Sequence, residues 1–478
     1  MSWDPSVRGV KALAYDVRTY GAVGDGATDD TAAIQAAIQA ATSTGGGVVF
    51  YPPGTYLVSA ELTIVSNVCH VGSGNASVIK AAPTLTTALF AVTVAAGGTL
   101  HDATWEDLTL DGNSTSTGTI YLISINTGAS SNIGYRNVEA TRVNFQNAKL
   151  GWAHAANNST AATMLNQTRI RDCYFTDLDC GVLVGGTYAT SVEYSFFTKC
   201  KTTAVGTPSA FTTPALAGAS GPTGILTVDG CHIEGTNTLA TGTQTGIQGV
   251  VSDGRITNCV IFGVAGFPIQ VESNERNGMV IDNVIIWGSG YSGLALYGES
   301  LYDTINVTNV VLNKVGQRAG GFGNNHAAVQ VLTGSAFLKN VTCADASLNA
   351  PGYALSCGAS GTVGTVEVDG LNCSNVGTAF LLLTRVPAYL KLSNCEGFNP
   401  VGLVTVAVPA SATAVAAASY DRTFYITAGT DPVTCAIANG PTIKVPASAC
   451  VPVFVPAGKT LTPTYTATHP PTWVVEGN

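Results

Sequence analysis

The chain has 478 residues, of which 46% are hydrophobic and 11% charged, and its formal net charge is −9 at pH 7. This composition is too apolar for a disordered protein, no apolar run is long enough to predict a membrane span, and the 21 Lys and Arg residues form no basic run of the kind that binds nucleic acid. Low charge with 54 glycines is typical of an all-β repeat protein.

The first residues predict an arm ahead of the folded core. Residues 1–15 include Trp3, and the first thirty residues contain Asp4, Arg8 and Lys11 without an apolar segment. We therefore expect no secretory signal peptide.

A glycine-rich loop and a short helix come next. Thr28, Asp29 and Asp30 offer N-cap oxygens and negative charge at a helix start. Apolar residues repeat at helical spacing, which predicts a helix over residues 29–42, and residues 48–51 and 55–58 are β-prone on either side of a Pro-Pro-Gly turn. The apolar face consists of Ile34, Ala37, Ile38 and Ala41.

The run from Tyr20 to Val58 resembles the N-terminal signature of the pectate-lyase superfamily of right-handed parallel β-helices. That superfamily includes secreted polysaccharide-degrading enzymes and many bacteriophage tail spikes. The resemblance implies an all-β chain in which residues 16–408 form a single-stranded right-handed parallel β-helix, with the helix at residues 29–42 capping its open end.

Repeats support this architecture. Alternating apolar residues lead to an Asn, Asp or Gly, and from Gly230 to Asn394 these polar positions recur every 24 to 31 residues. Such periods with short strands predict a solenoid, with left-handed backbone at each corner and a ladder of stacked Asn amides. Leucine spacing does not fit a leucine-rich repeat. The predicted corner residues are Asp107, Asn137, Asp172, Gly230, Asn258, Asn283, Asn309, Asn340, Gly370 and Asn394.

Three polar or small-residue stretches interrupt the repeats, at 112–128, 202–228 and 235–250. We expect long loops there, which either bind a ligand or pack against a neighbouring subunit.

Cysteines recur beside the predicted corners, so we interpret them as a stacked column of buried free thiols. They are Cys173, Cys231, Cys259 and Cys395, with Cys343 and Cys373 close to comparable sites. No C-x-x-C pair is present, so we predict no metal site and no cofactor. Cys435 and Cys450 lie outside the repeats and are the best candidates for a disulfide, which the sequence leaves open.

The periodicity ends near residue 406. Residues 409–419 read as a linker, and residues 420–478 predict a small C-terminal β domain with short or edge strands. This end also resembles the terminal β modules of phage tail proteins.

Two carboxylates at one-rung spacing are the first candidate for catalysis. Glu272 and Glu299 lie 27 positions apart, and stacked rungs bring such pairs within the separations that glycoside hydrolases use. Trp287, Tyr291 and Tyr297 are candidates for stacking on sugar rings. The alternative is that both acids are solvated charges at loop edges.

Asp177 and Asp179 are the second choice, with Glu193, His232 and Glu234 nearby; the alternative is ordinary turn and surface charge. His326 is a lone loop histidine. The ordered motifs of pectin hydrolases and the Asp-Pro-His motif of alginate epimerases are absent, which argues against those activities.

The resemblance, taken with these features, implies a virion tail spike or tail-fibre protein that recognises a host cell-surface polysaccharide, with cleavage of that polysaccharide left open. The resemblance implies a homotrimer attached through its N-terminus to other phage tail proteins. The alternative is a free bacterial carbohydrate-active enzyme, either a glycoside hydrolase or a polysaccharide lyase.

Overall fold

A computed structural model describes most of the chain. The described residues are 14–92, 99–113, 120–126, 134–155, 167–185, 189–200, 203–206, 223–235, 244–273, 278–298, 300, 302–317, 327–343, 352–358, 362–373, 379–384, 387–395, 408–415, 422–456, 458–466 and 469–477.

Thirty strands wind into one continuous parallel structure. They are β1 (Ala14–Asp16), β2 (Asp25–Asp29), β3 (Gly47–Phe50), β4 (Gly54–Val58), β5 (Leu62–Ile64), β6 (Val68–Val71), β7 (Ser77–Ala81), β8 (Ala88–Val92), β9 (Thr99–Asp111), β10 (Tyr121–Asn126), β11 (Gly134–Ala155), β12 (Gln167–Arg171), β13 (Tyr174–Gly185), β14 (Ala189–Glu193), β15 (Phe196–Thr198), β16 (Thr203–Gly206), β17 (Thr223–Asp229), β18 (His232–Glu234), β19 (Thr245–Thr257), β20 (Val260–Val264), β21 (Ile269–Ser273), β22 (Met279–Ser289), β23 (Leu294–Gly298), β24 (Thr304–Asn313), β25 (Ala327–Val331), β26 (Gly334–Cys343), β27 (Tyr353–Cys357), β28 (Val363–Cys373), β29 (Ala379–Leu383) and β30 (Tyr389–Ser393).

Strand pairing sorts these strands into three faces, which we call sheets A, B and C in the order in which each rung visits them. In the rung that starts at β22, sheet A is residues 279–282, sheet B is residues 284–289, and sheet C is β23. Residues 304–308, 310–313 and β25 lie above them in register. This is the parallel β-helix that the sequence predicts, and it is confirmed.

The single α-helix of the described residues, α1 (Thr31–Ser43), packs against β1, β3, β5 and β6 at the N-terminal end of the winding. Its buried residues are Ile34, Ala37, Ile38 and Ala41, as the spacing predicts. None of the described helices is long and apolar enough to cross a membrane.

The N-cap prediction is wrong for Asp30. Its side chain makes no capping hydrogen bond; instead the buried carboxylate accepts hydrogen bonds from the backbone N–H groups of Val23 and Gly24. Asp29 contacts the helix, accepting from the N–H of Thr31, and hydrogen bonds from Ser59 and Thr31 lower its pKa. The glycine loop therefore competes successfully for Asp30.

Every corner between sheets A and B that the structure describes from β9 onwards is turned by a left-handed residue, with φ between +48° and +81°. These residues are Asp107, Arg142, Asp172, Tyr194, Gly230, Asn258, Asn283, Asn309, Asn340, Gly370 and Asn394. The prediction is confirmed for nine of its ten positions.

Asn137 is the exception. It has positive φ, but the register places it opposite Asp102, within sheet A. Arg142 takes the corner instead and forms an ion pair with Asp107 of the preceding rung, 2.7 Å away. The sequence does not predict the corner at Tyr194, because a tyrosine with positive φ is uncommon.

The predicted amide ladder is present in part. Asn283 donates to Asn258 at 2.7 Å, and Asn340 donates to Asn309 at 2.8 Å. Elsewhere the corner Asn donates to the Asp that precedes the corner one rung earlier, as Asn258 does to Asp229. Each rung whose corner residue is an Asn is thus held to the rung before it by a side-chain hydrogen bond.

The interior is apolar and includes an aromatic cluster near the N-terminal end. His70 is buried there, stacked on Trp105 with ring centroids 5.5 Å apart, and its Nδ1 lies 3.0 Å from the hydroxyl oxygen of Tyr51. Burial lowers the pKa of His70 to about 3.

The predicted thiol column is confirmed in outline. All twelve cysteines are free, and those beside the corners are buried. Cys343 and Cys373 are register partners. Ser195 lies between Cys173 and Cys231 in the stack. Its hydroxyl oxygen accepts a hydrogen bond from the backbone N–H of Cys173.

A separate C-terminal core is built from six antiparallel strands in two sheets: β31 (Arg422–Thr427), β32 (Val433–Ile437), β33 (Thr442–Val445), β34 (Cys450–Val455), β35 (Leu461–Thr464) and β36 (Thr472–Gly477). Val408 and Val415, at the ends of segment 408–415, pack against this core. Cys435 is buried and Cys450 exposed, on different sheets, so the structure holds no disulfide between them.

Strands occupy part of each stretch predicted as a long loop. β10 lies within 112–128, β16 and most of β17 within 202–228, and the start of β19 within 235–250. β16, β17 and the start of β19 are rich in small residues, which hides their alternation. Residues 114–119, 207–222 and 236–243 lie outside the described residues.

We expect the left-handed backbone at position 258 to cost a residue with an ordinary Cβ about 1–2 kcal/mol of folding free energy. Asn258→Gly and Asn258→Ala both remove the ladder hydrogen bonds, but only alanine must adopt φ +55° with a Cβ. Chemical denaturation should show the alanine variant less stable than the glycine variant by about 1 kcal/mol or more. Equal stabilities would contradict the corner assignment.

We also expect His70 to destabilise the fold in acid. The folded protein keeps it neutral down to about pH 3, whereas the unfolded chain protonates it below about pH 6.5. The free energy of unfolding should therefore fall, as pH drops from 6.5 towards 3, by about 1.4 kcal/mol per pH unit more steeply than in His70→Phe. Parallel pH profiles for the two proteins would refute this.

Candidate functional site

The outer face of sheet B carries a row of aromatic side chains. We call Tyr174, Phe196, His232, Phe262 and Trp287 the aromatic track. They come from β13, β15, β18, β20 and β22, one residue from each of five successive rungs.

Strand alternation puts these rings outside. In β20 the burial pattern has Ile261 buried and its neighbours Val260 and Phe262 half-buried, so every second side chain leaves the core. Tyr174 is 57% exposed and Trp287 is 38% exposed.

The rings contact one another along the track. Tyr174 and Phe196 have centroids 5.6 Å apart, and Phe196 stacks on His232 at 4.3 Å with only 3° between the ring planes. His232 is 5.4 Å from Phe262, which is 6.1 Å from Trp287. Four steps at a strand spacing of about 4.8 Å make the track about 19 Å long.

The track shifts sideways once. His232 is in register with Val260, and Glu234 is in register with Phe262, so the aromatic row moves two positions along the strand between β18 and β20. The residues that stand in register with His232 on the following rungs are Val260, Ile285 and Val311. Ile285 and Val311 are each more than 40% exposed.

Among the described residues, few charges adjoin the track. Glu234 is exposed between Thr198 and Phe262 in register, and the Lys314 Nζ lies 4.7 Å from the Trp287 ring centroid. Partial burial lowers the pKa of His232, although Glu234 opposes that shift, so this ring is largely neutral at neutral pH. The surface is mostly apolar and aromatic, with hydrogen-bonding groups at its sides.

Such a surface suits a ligand with apolar ring faces and polar edges. Aromatic side chains supply a large contact area with little loss of conformational entropy, and sugar rings present C–H faces flanked by hydroxyls. A row of rings across the strands offers repeated platforms to a repeating polymer.

The one described member of the predicted carboxylate pair lies away from the track. Glu272 is on β21 in sheet C, in register with Tyr297, and Glu299 lies outside the described residues. The pairing of these two acids therefore stays a prediction.

The three predicted sugar-stacking residues are not brought together on one face. Trp287 ends the track on sheet B, whereas Tyr297 is on sheet C. Tyr291 lies between these two strands and stacks on Phe267 with centroids 4.9 Å apart. Of the three, only Trp287 belongs to the aromatic track.

The second predicted cluster is divided between faces. Asp177 turns the corner from sheet B to sheet C and lies 3.6 Å from Lys199. Glu193 is on sheet A, 3.8 Å from Arg169, while His232 and Glu234 are on sheet B and Asp179 follows the corner within β13. His326 lies outside the described residues.

Sheet A has a shallow groove of about 330 Å³ across its last rungs. Its lining includes Phe337, Lys339, Glu367, Asp369 and Lys391. Among the described residues no group of three or more His, Cys, Asp or Glu side chains is arranged to hold a metal ion.

Sequence reasoning missed Tyr174, Phe196 and Phe262 as functional candidates. The available signal was an aromatic residue at an outward position of a short sheet-B strand, two residues after the corner for Tyr174 and Phe196 and four residues after it for Phe262. That signal required the corner at Tyr194, without which Phe196 has no place in the register.

Residues 14–213 match the family model described as rhamnogalacturonase A/epimerase, pectate lyase-like. Alginate lyase 7 of Azotobacter vinelandii is 45% identical over 114 residues, which are 22% of this chain and 13% of that protein. The match thus spans only a small part of the relative.

Among solved structures, the Agl-KA catalytic domain has a TM-score of 0.54 at 16% identity, covering 80% of this chain and 69% of the other, and it has the same fold. The enzymatically active domain of bacteriophage CBA120 tailspike protein 2 has a TM-score of 0.45 at 13% identity, covering 98% and 73% of the two chains.

Proposed function

We propose that this protein recognises a polysaccharide and that the aromatic track on sheet B is its binding surface. The observation that carries the proposal is the row of five rings, each exposed or half-buried, across five successive rungs. A globular protein rarely leaves a contiguous apolar row on its surface without a partner.

The direction of the track sets the direction of the ligand. The rings succeed one another across the strands, along the axis of the β-helix, so the polysaccharide runs parallel to that axis. Successive sugar units then meet successive rungs, with Glu234 and Thr198 available for hydroxyl groups beside the rings.

We further propose that the protein acts as a tail spike or tail fibre of a virion, outside the host cell, as a homotrimer joined to other tail proteins through its N-terminus. The resemblance of the Tyr20–Val58 run to the signature shared with phage tail spikes supports this. Residues 1–13, which include most of the proposed attachment arm, lie outside the described residues.

We expect Phe196→Ala and Trp287→Ala each to weaken polysaccharide binding by about fivefold, since one aromatic contact contributes about 1 kcal/mol. Affinity electrophoresis of the full chain against a panel of bacterial envelope polysaccharides and alginate measures this. The panel identifies the glycan by retardation of the parent protein.

Tyr389→Ala is the matched control. Tyr389 is an exposed aromatic residue, 48% accessible, but it lies on sheet A. Retardation that survives both track substitutions, or that Tyr389→Ala reduces equally, would count against the track.

A second candidate function is a free carbohydrate-active enzyme, and the sequence similarity to a protein named alginate lyase favours it. In that case Glu272, on sheet C, and Glu299 would carry catalysis as a carboxylate pair.

A reducing-end assay separates binding from cleavage. If the protein is a depolymerase that uses this pair, Glu272→Gln or Glu299→Gln should abolish release of oligosaccharides while leaving retardation in the gel unchanged. If both variants still release oligosaccharides, the protein is an enzyme but this pair is not catalytic. If the wild-type protein binds the glycan without releasing oligosaccharides, it is a binding protein.

A further inference from the structure

The groove on sheet A concentrates charge in a chain that has little of it. Only 11% of residues are charged, yet Lys339, Glu367, Asp369 and Lys391 line one groove with Phe337 at half-burial among them. They come from β26, β28 and β30, and they all point outward because strand alternation places Leu338, Val368 and Leu390 in the core.

These charges are not neutralised by pairing with each other. Lys391 is in register with Glu367, and Lys339 is in register with Asp369, but neither couple approaches within ion-pair distance. Within the described part of the chain, no ion pair or side-chain hydrogen bond engages Lys339, Lys391 or Glu367. Elsewhere on sheet A opposite charges on adjacent strands do form an ion pair, as Arg169 and Glu193 do.

Asp369 differs from the other three. Its carboxylate accepts a hydrogen bond from the Asn394 amide at 2.7 Å, in the same way that Asp229 accepts one from Asn258 and Asp282 accepts one from Asn309. Asp369 therefore helps to hold successive rungs together. The Asp369 carboxylate keeps its negative charge, and the groups that remain for direct contacts with a ligand are the two ammonium groups, the Glu367 carboxylate and the aromatic face of Phe337.

We propose that this groove is a second glycan-binding site, distinct from the aromatic track, and that it takes a saccharide bearing a carboxylate or phosphate group. Two lysines on either side of Glu367 attract an anionic group as point charges, and Phe337 offers an apolar surface to a sugar ring. Glu367 can accept a hydrogen bond from a sugar hydroxyl group.

The test uses the full chain and two anionic probes, polygalacturonate for the carboxylate and a phosphomannan for the phosphate. Carboxyl-reduced polygalacturonate is the neutral control. We expect the wild-type protein to bind at least one anionic probe, with the preferred probe identifying the group, and to bind the neutral control more weakly. Binding should weaken as salt rises.

Lys339→Gln with Lys391→Gln should weaken that binding by about three- to tenfold, whereas Glu367→Gln should strengthen it because a like charge is removed. Lys444→Gln, an exposed lysine of the C-terminal core, is the matched control. The opposite signs separate a binding role from damage to the fold, which would weaken binding in both variants.

The proposal is overturned if the wild type binds neither probe, if the double lysine variant binds as the wild type does, or if Glu367→Gln weakens binding. Failure of this proposal can be told apart from failure of the aromatic-track proposal, because Phe196→Ala and Trp287→Ala should leave binding at this groove unchanged.

Discussion

The left-handed corner between sheets A and B is the constraint on which the rest of this structure depends. A rung must turn sharply after a short strand, and an L-residue with positive φ costs free energy. Most of these corners are occupied by Asn, Asp or Gly, because the free-energy cost is smallest for these residues. Where the corner residue is an Asn, its side chain donates a hydrogen bond to the previous rung, as Asn283 does to Asn258, so these turns also fix the register.

Fixed register is what creates a surface that a single rung does not possess. Phe196 and His232 stack at 4.3 Å because the strands that carry them are aligned residue for residue. A one-residue slip would turn the whole outward set into the core. The same alignment brings the lysines and carboxylates of sheet A into one groove, from strands that are about 25 to 30 residues apart in the chain.

Sequence reasoning reached the architecture because the corners have a compositional signature, and the helix because its apolar spacing is regular. It failed at Asn137, where an asparagine with positive φ lies inside sheet A, and at Tyr194, where a bulky residue turns the corner. Asp30 was assigned to the helix cap but binds the glycine loop, since two unpaired N–H groups lie within its reach. Composition does not resolve such competition between nearby donors.

The functional surfaces were harder to predict than the fold. Trp287 was identified as a sugar-stacking residue, but its predicted companions lie on or near another sheet, and its actual neighbour Phe262 was not considered. Which aromatic residues share a face follows from register, and register follows from every corner between them. One missed corner was enough to hide the track.

The most direct test of the central claim is hydroxyl-radical footprinting of the protein with and without its bound polysaccharide, read out residue by residue. If the track is the binding surface, Tyr174, Phe196, Phe262 and Trp287 should become protected together while Tyr389 continues to react as before. Protection confined to the region of Tyr297 on sheet C, with the track still reactive, would contradict it.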